Sequence, residues 1–166
     1  MSTTPTTPHR VITRQVVEWA AWDWGSAAFN AVATTFVFTT YLTSDGVFTD
    51  SGTASTWLSN GMTIAGLFIA LLAPITGQRA DRRGRGGVWL GWFTGLVVAC
   101  MLAMYFVHPE SVLGPRGALM LGIALLGLGN VFFEFASVNY NAMLNHLGEK
   151  EDRGKISGFG WAAGYI

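Results

Sequence analysis

Ten residues, Gly77-Gln78-Arg79-Ala80-Asp81-Arg82-Arg83-Gly84-Arg85-Gly86, carry five charges, four of them arginine, and stand between two long apolar runs. The runs 57–76 and 88–107 are each close to the ~20 residues that cross a bilayer as a helix. A connection this short makes those two helices antiparallel neighbours. Its arginines hold the loop on the cytoplasmic side of a membrane, and its glycines let the backbone turn tightly.

Composition supports the same reading. Of the 166 residues 51% are hydrophobic and 12% charged, against about 25% charged in ordinary soluble domains. A chain of this length cannot hide four long apolar runs from water in one core. The net charge is zero, so no overall field draws in nucleic acid, and the clustered arginines serve topology rather than phosphate binding. The single cysteine, Cys100, lies in an apolar run and supplies neither a disulfide nor a metal cluster. No cofactor is expected, and the absence of a nucleophile–base pair argues against an enzyme.

Four spans follow, at 16–42, 57–78, 88–107 and 117–144, and a fifth apolar segment begins near 156. Residues 1–15, rich in Thr and Pro at their start, read as a disordered cytoplasmic tail. No secretory leader precedes the first span, which is itself the targeting signal. The last segment, Ser157-Gly158-Phe159-Gly160-Trp161-Ala162-Ala163-Gly164-Tyr165-Ile166, runs for ten residues, and as a helix it rises only ~15 Å. The expectation is a truncated amino-terminal portion of a longer protein.

Nine of the ten basic residues, all but Arg116, fall on one side of this arrangement, which places the amino terminus in the cytoplasm. Trp19, Tyr41, Trp57, Trp89 and Trp161 stand near span ends, as an interfacial belt requires. Gly61 and Gly66, Gly91 and Gly95, and Gly122, Gly127 and Gly129 fall within spans two to four, where packing is their ordinary role.

Two acidic side chains lie inside spans: Asp23 in the first and Glu134 in the fourth. An ionised carboxylate in hydrocarbon is costly, so such a group faces a bundle interior, a cavity or a partner. At helical spacing Asp23, Ser26, Asn30 and Thr34 form one stripe, and Gly127, Asn130, Glu134, Ser137 and Asn141 form another. Two polar stripes on apolar helices suit a water-lined path, with Asp23, Asn30, Asn130, Glu134 and Asn141 as its candidate residues. The plainer alternative leaves Asp23 pairing with a helix end or loop arginine, and the asparagines as interhelical hydrogen-bond glue. In the loop, Gly77, Asp81, Arg82, Gly84 and Arg85 form a candidate gating cluster, whose charge contacts would break when helices rock apart.

The loop pattern G-x-x-x-D-R-x-G-R resembles the loop between the second and third helices of major facilitator superfamily transporters. The stretch Trp19-Ala20-Ala21-Trp22-Asp23-Trp24-Gly25-Ser26-Ala27-Ala28-Phe29 resembles the W-x-x-Y-D-W-A-N-S-A-F opening of that superfamily's vacuolar amino-acid effluxer-like branch. Tyr140-Asn141-Ala142 and Ser157 to Tyr165 are similar to its Y-N-A and S-G-x-G-W-A-x-G-Y segments. Trp22 replaces the usual Tyr, Ser26-Ala27 stands where Asn-Ser is typical, and Asn30 brings an amide one turn further in. The resemblance implies an all-α membrane protein, the amino-terminal part of a major-facilitator-type bundle with four transmembrane helices and the start of a fifth. It further implies a secondary active permease for small solutes, with amino-acid export as one activity; a coupling proton is a role that Glu134, as the deepest acid in these spans, would suit. The expected setting is a bacterial plasma membrane, and the expected partners are lipid and a small-molecule substrate, not nucleic acid. The competing class is a non-transporting membrane scaffold or assembly partner.

Overall fold

The computed structural model describes residues 12–82, 86–147 and 152–164, with the backbone alone for 79–82, 145–146 and 163–164. It is all-helical, with no strand among the described residues: α1 (Arg14–Ala28), a π-helical stretch (Phe29–Phe36), α2 (Phe38–Thr43), α3 (Ser51–Arg82), α4 (Gly86–Ala103) running into a 3₁₀ turn (Met104–Phe106), α5 (Gly114–Leu147) and α6 (Arg153–Gly164). Among the described residues, three helices are long and apolar enough to span a membrane: Ser51–Gln78, Gly86–Phe106 and Gly114–Leu144. This is an all-helical membrane protein.

The sequence reads 16–42 as one helix. The structure divides it. Val37 N–H passes over Ala33 and bonds Val32 O, five residues back, at 2.9 Å, and the segment resumes as α2 only from Phe38. The reason is a competing donor. Thr39 Oγ1 donates to Thr34 O at 2.8 Å and reaches Ala33 O at 3.3 Å, satisfying carbonyls that the i→i−4 ladder would otherwise use.

The second helix begins earlier than the apolar run suggests, because its polar start carries a cap. Asp50 Oδ1 accepts from Thr53 N–H at 2.8 Å and Asp45 Oδ1 from Ser51 N–H at 3.0 Å, relieving amides that have no partner inside the helix. The Thr53 bond holds the Asp50 carboxyl below the usual carboxylate range. Asp45-Gly46 is a turn, with Gly46 at φ +72°, and Gly114 at φ +67° opens α5. Pro74 lies inside α3.

Two compact units are distinguished, Met1–Ala27 with Leu144–Ile166, and Ala28–Met143. In the first, α1 buries Val16, Trp19 and Ala20, at i, i+3 and i+4, and α6 buries Ile156. Trp19, assigned to an interfacial belt from its position, is 6% exposed and belongs to this core.

In the second unit α5 is the middle of the packing. Ala118, Leu119, Leu126 and Ala136 are almost fully buried along it. Tyr41 is half-buried near the end of the first segment; its hydroxyl donates to Val107 O at 3.1 Å and its ring meets Phe48 edge-on. Gly91 and Gly95 of α4, expected at a close helix contact, have nothing within 4 Å of where a Cβ would stand. The close contacts fall to other glycines.

Candidate functional site

The surface of α5 is divided among three neighbours. Towards α3, a Cβ on Gly61 would overlap Ile123, one on Gly127 would meet Ala65 Cβ at 3.6 Å, and one on Gly77 would stand 2.5 Å from Val138. Towards α4, Phe135 meets Phe93 edge-on at 5.5 Å, and Met143 lies over Gly86. Towards the first segment, Phe29 packs on Phe133 at 5.3 Å and over Gly129, while Leu42 closes on Gly122. Contacts along all three seams advance regularly, so α3 runs parallel to α5 and the other two run antiparallel.

The polar stripe predicted on this helix falls on the flank between the Phe29 side and the α3 side. At about 100° per residue, Asn130, Glu134, Ser137 and Asn141 lie within about 60° of one another. Asn130, Glu134 and Ser137 are half-buried and Asn141 is exposed. Asn141 Nδ2 donates to Ser137 O at 2.9 Å, so its amide is tied to its own helix. No described residue pairs with the carboxylate of Glu134 or the amide of Asn130. A half-buried carboxylate on an apolar helix, without a described cation, is suited to a proton or a cationic group passing along that flank.

The other candidates divide. Asn30 is exposed and lies in the π-helical stretch, next to Phe29, with its carbonyl accepting from Thr34 Oγ1 at 2.7 Å. The stripe Asp23, Ser26, Asn30, Thr34 assumed one α-helical period, and the π register from Phe29 interrupts it. Asp23 is half-buried in α1 and its carbonyl accepts from Ser26 Oγ at 2.9 Å. It belongs to the unit of Met1–Ala27 and Leu144–Ile166, whereas the four asparagine and glutamate candidates belong to Ala28–Met143. Of the loop cluster, Gly77 is a packing position against Val138. The α3 backbone continues through Asp81 and Arg82, but their side chains, and Gly84 and Arg85 altogether, lie outside the described residues.

One polar residue escaped the sequence reading. Asn139 is 0% exposed; its Nδ2 donates to Phe135 O at 2.7 Å, and its Oδ1 has no partner among the described residues. It lies on the α4 side, off the polar stripe. The available signal is its i+4 spacing from Phe135, which puts it on an aromatic face rather than with Asn141.

Over 158 residues the chain is 30% identical to the uncharacterized MFS-type transporter YxiO of Bacillus subtilis, an alignment covering 93% of this chain and 35% of that protein. The chain thus spans about a third of the length of the curated relative it matches. No protein-family model and no solved structure matches it. The likeness is to an MFS-type transporter, and together with the helices it marks an integral membrane protein.

Proposed function

We propose that this chain forms the amino-terminal bundle of a secondary active transporter for small solutes, in the vacuolar amino-acid effluxer-like branch of the major facilitator superfamily. The observation that carries the reading is Glu134: a half-buried carboxylate within a membrane helix, without a described partner, on one flank with Asn130 and Asn141. Similarity to an MFS-type transporter supports it. In this reading Glu134 carries the coupling proton or receives a cationic group of the solute, such as an amino-acid ammonium. Asn130 and Asn30 offer amides to its polar atoms. Asp23 and the loop residues Gly77, Asp81, Arg82, Gly84 and Arg85 act in gating.

The test uses the intact transporter that carries this chain, reconstituted in liposomes with a panel of amino acids at several pH values. Glu134→Gln is expected to leave the melting temperature near wild type, since shape and much of the hydrogen bonding persist. Flux should fall to near background or lose its pH dependence. Wild-type flux and pH profile in Glu134→Gln would sink the assignment. Absence of flux for every solute, with the wild-type protein intact, would favour the scaffold alternative.

The same reading puts the amino terminus in the cytoplasm of a bacterium, from the distribution of nine basic residues. A Ser2→Cys variant on a Cys100→Ala background is expected to react with an impermeant maleimide only after permeabilisation. Labelling of intact cells overturns the orientation.

A further inference from the structure

The break in the first segment is held by one hydroxyl. In a continuous α-helix Ala33 O receives Val37 N–H and Thr34 O receives Phe38 N–H. Here Val37 N–H is on Val32 O at 2.9 Å, and Thr39 Oγ1 serves Thr34 O at 2.8 Å and Ala33 O at 3.3 Å. In hydrocarbon a carbonyl without a donor is strongly disfavoured, so the π register and the Thr39 hydroxyl depend on each other. Downstream, the segment is anchored: Tyr41 Oη bonds Val107 O, and Leu42 closes on Gly122. Upstream, Phe29 packs over Gly129 and Phe133, and Ala33 is buried within the stretch itself.

We infer that residues 29–39 form a two-state joint with the Thr39 hydroxyl as its latch, and that the joint exchanges Phe29 for Asn30 opposite Gly129 of α5. When the hydroxyl leaves Thr34 O and Ala33 O, Phe38 N–H and Val37 N–H take those carbonyls back and the stretch becomes α-helical. An i→i−5 ladder holds one more residue per closed ring than an i→i−4 ladder. Conversion therefore turns the residues upstream of the joint by about one position, about 100°, while Tyr41 and Leu42 stay seated. Neighbouring residues differ by that same angle, so Asn30 takes the direction Phe29 has now. A carboxamide then replaces an aromatic ring opposite Gly129. If the α5 flank is the solute path, as proposed above, this exchange opens or closes it, but the joint itself stands on backbone geometry and is tested without flux.

The experiment is a distance measurement by pulsed electron paramagnetic resonance on the full chain in lipid nanodiscs. Spin labels are placed at Ala28→Cys, just upstream of the joint, and Leu128→Cys, both exposed positions, on a Cys100→Ala background. With Thr39 present one distance is expected. Thr39→Val should add a second population shifted on the order of 5 Å, given a helix about 10–12 Å across, and Thr39→Ser should restore the first. Deleting Ala31 removes the additional residue, so the chain should keep the first distance and become indifferent to Thr39→Val. An unchanged distribution in Thr39→Val, or a shift that persists with Ala31 deleted, overturns the inference. If Thr39→Val alone fails to fold, rescue by the Ala31 deletion supports the joint, and failure in both backgrounds refutes it.

Discussion

Helices α4 and α5 have nearly the same mean hydropathy and opposite fates. Half of the apolar stretch of α5 is buried inside the protein, against 11% of that of α4. In water the more apolar helix is the buried one. In a bilayer lipid is as apolar as leucine, and hydropathy loses that power. What separates the two is the lateral placement of small and polar residues. Gly122, Gly127 and Gly129 of α5 each meet a neighbour, respectively Leu42, Ala65 and Phe29, whereas Gly91 and Gly95 of α4 face open space. Trp92 and Leu102 of α4 are 68% and 69% exposed, as lipid-facing residues are.

The largest expected effect tests that contrast directly. A Cβ on Gly129 would come within 3.1 Å of Phe29 Cζ, so Gly129→Val forces the joint region and α5 apart, at a cost of about 1–3 kcal/mol. Gly95→Val on α4 is expected to change stability by less than about 0.5 kcal/mol. Thermal unfolding of both variants in the same detergent decides it. Equal losses would mean that α4 has a packing partner after all.

A smaller effect is expected at Asn139, where α5 presents a buried amide to the α4 side. The only described bond of its side chain goes to a carbonyl of its own helix, and its oxygen is unmatched. Asn139→Leu should therefore alter stability by no more than about 1 kcal/mol, while Asn139→Asp should destabilise more by burying a carboxyl group there. A large loss in Asn139→Leu would show that the amide oxygen has a partner essential to the α4–α5 contact.

Smallest is the rim, at the start of α3. The Asp50 carboxyl is held low by Thr53 N–H, so its folded pKa lies below the unfolded carboxylate value of about 3.9. Its contribution is fully present above that value and is lost as pH falls through the folded pKa. Asp50→Asn keeps a capping oxygen and should remove this dependence. Comparing amide exchange over Ser51–Ala54 at neutral pH and near pH 3 measures it, and identical pH sensitivity in both proteins would discount the cap.

These contrasts mark where the sequence was readable. The 3.6-residue period placed Asn130, Glu134 and Asn141 on one flank of α5 because that helix is regular from Gly114 to Leu147. It misled in the first segment, where the threonine-rich run Ala33-Thr34-Thr35-Phe36-Val37-Phe38-Thr39 fits an α-helix equally well. Thr39 serves Thr34 O and Ala33 O directly ahead of Tyr41 and Leu42, which are held by Val107 and Gly122, contacts between residues far apart in the chain that no local pattern carries. Glycine posed the same problem. Gly95 and Gly129 are alike as letters, and only the opposing side chain tells a seam from a lipid face. Asn139 stands across the helix from the polar stripe, on the Phe135 face, where a single amide among aromatic neighbours gives the period no polar pattern to follow.

The seam between α3 and α5 also constrains how the protein is made. From Gly61 to Gly77 it extends for about 24 Å at about 1.5 Å per residue, yet its two sides are separated in the chain by all of α4. At about 5–20 residues per second of synthesis, α3 enters the membrane several seconds before Val138 of its partner exists. Throughout that interval Gly61, Ala65 and Gly77 are uncovered. The helix is threaded early and completed late, so this face of small residues meets lipid, the insertion machinery or α4 until α5 arrives to close the seam.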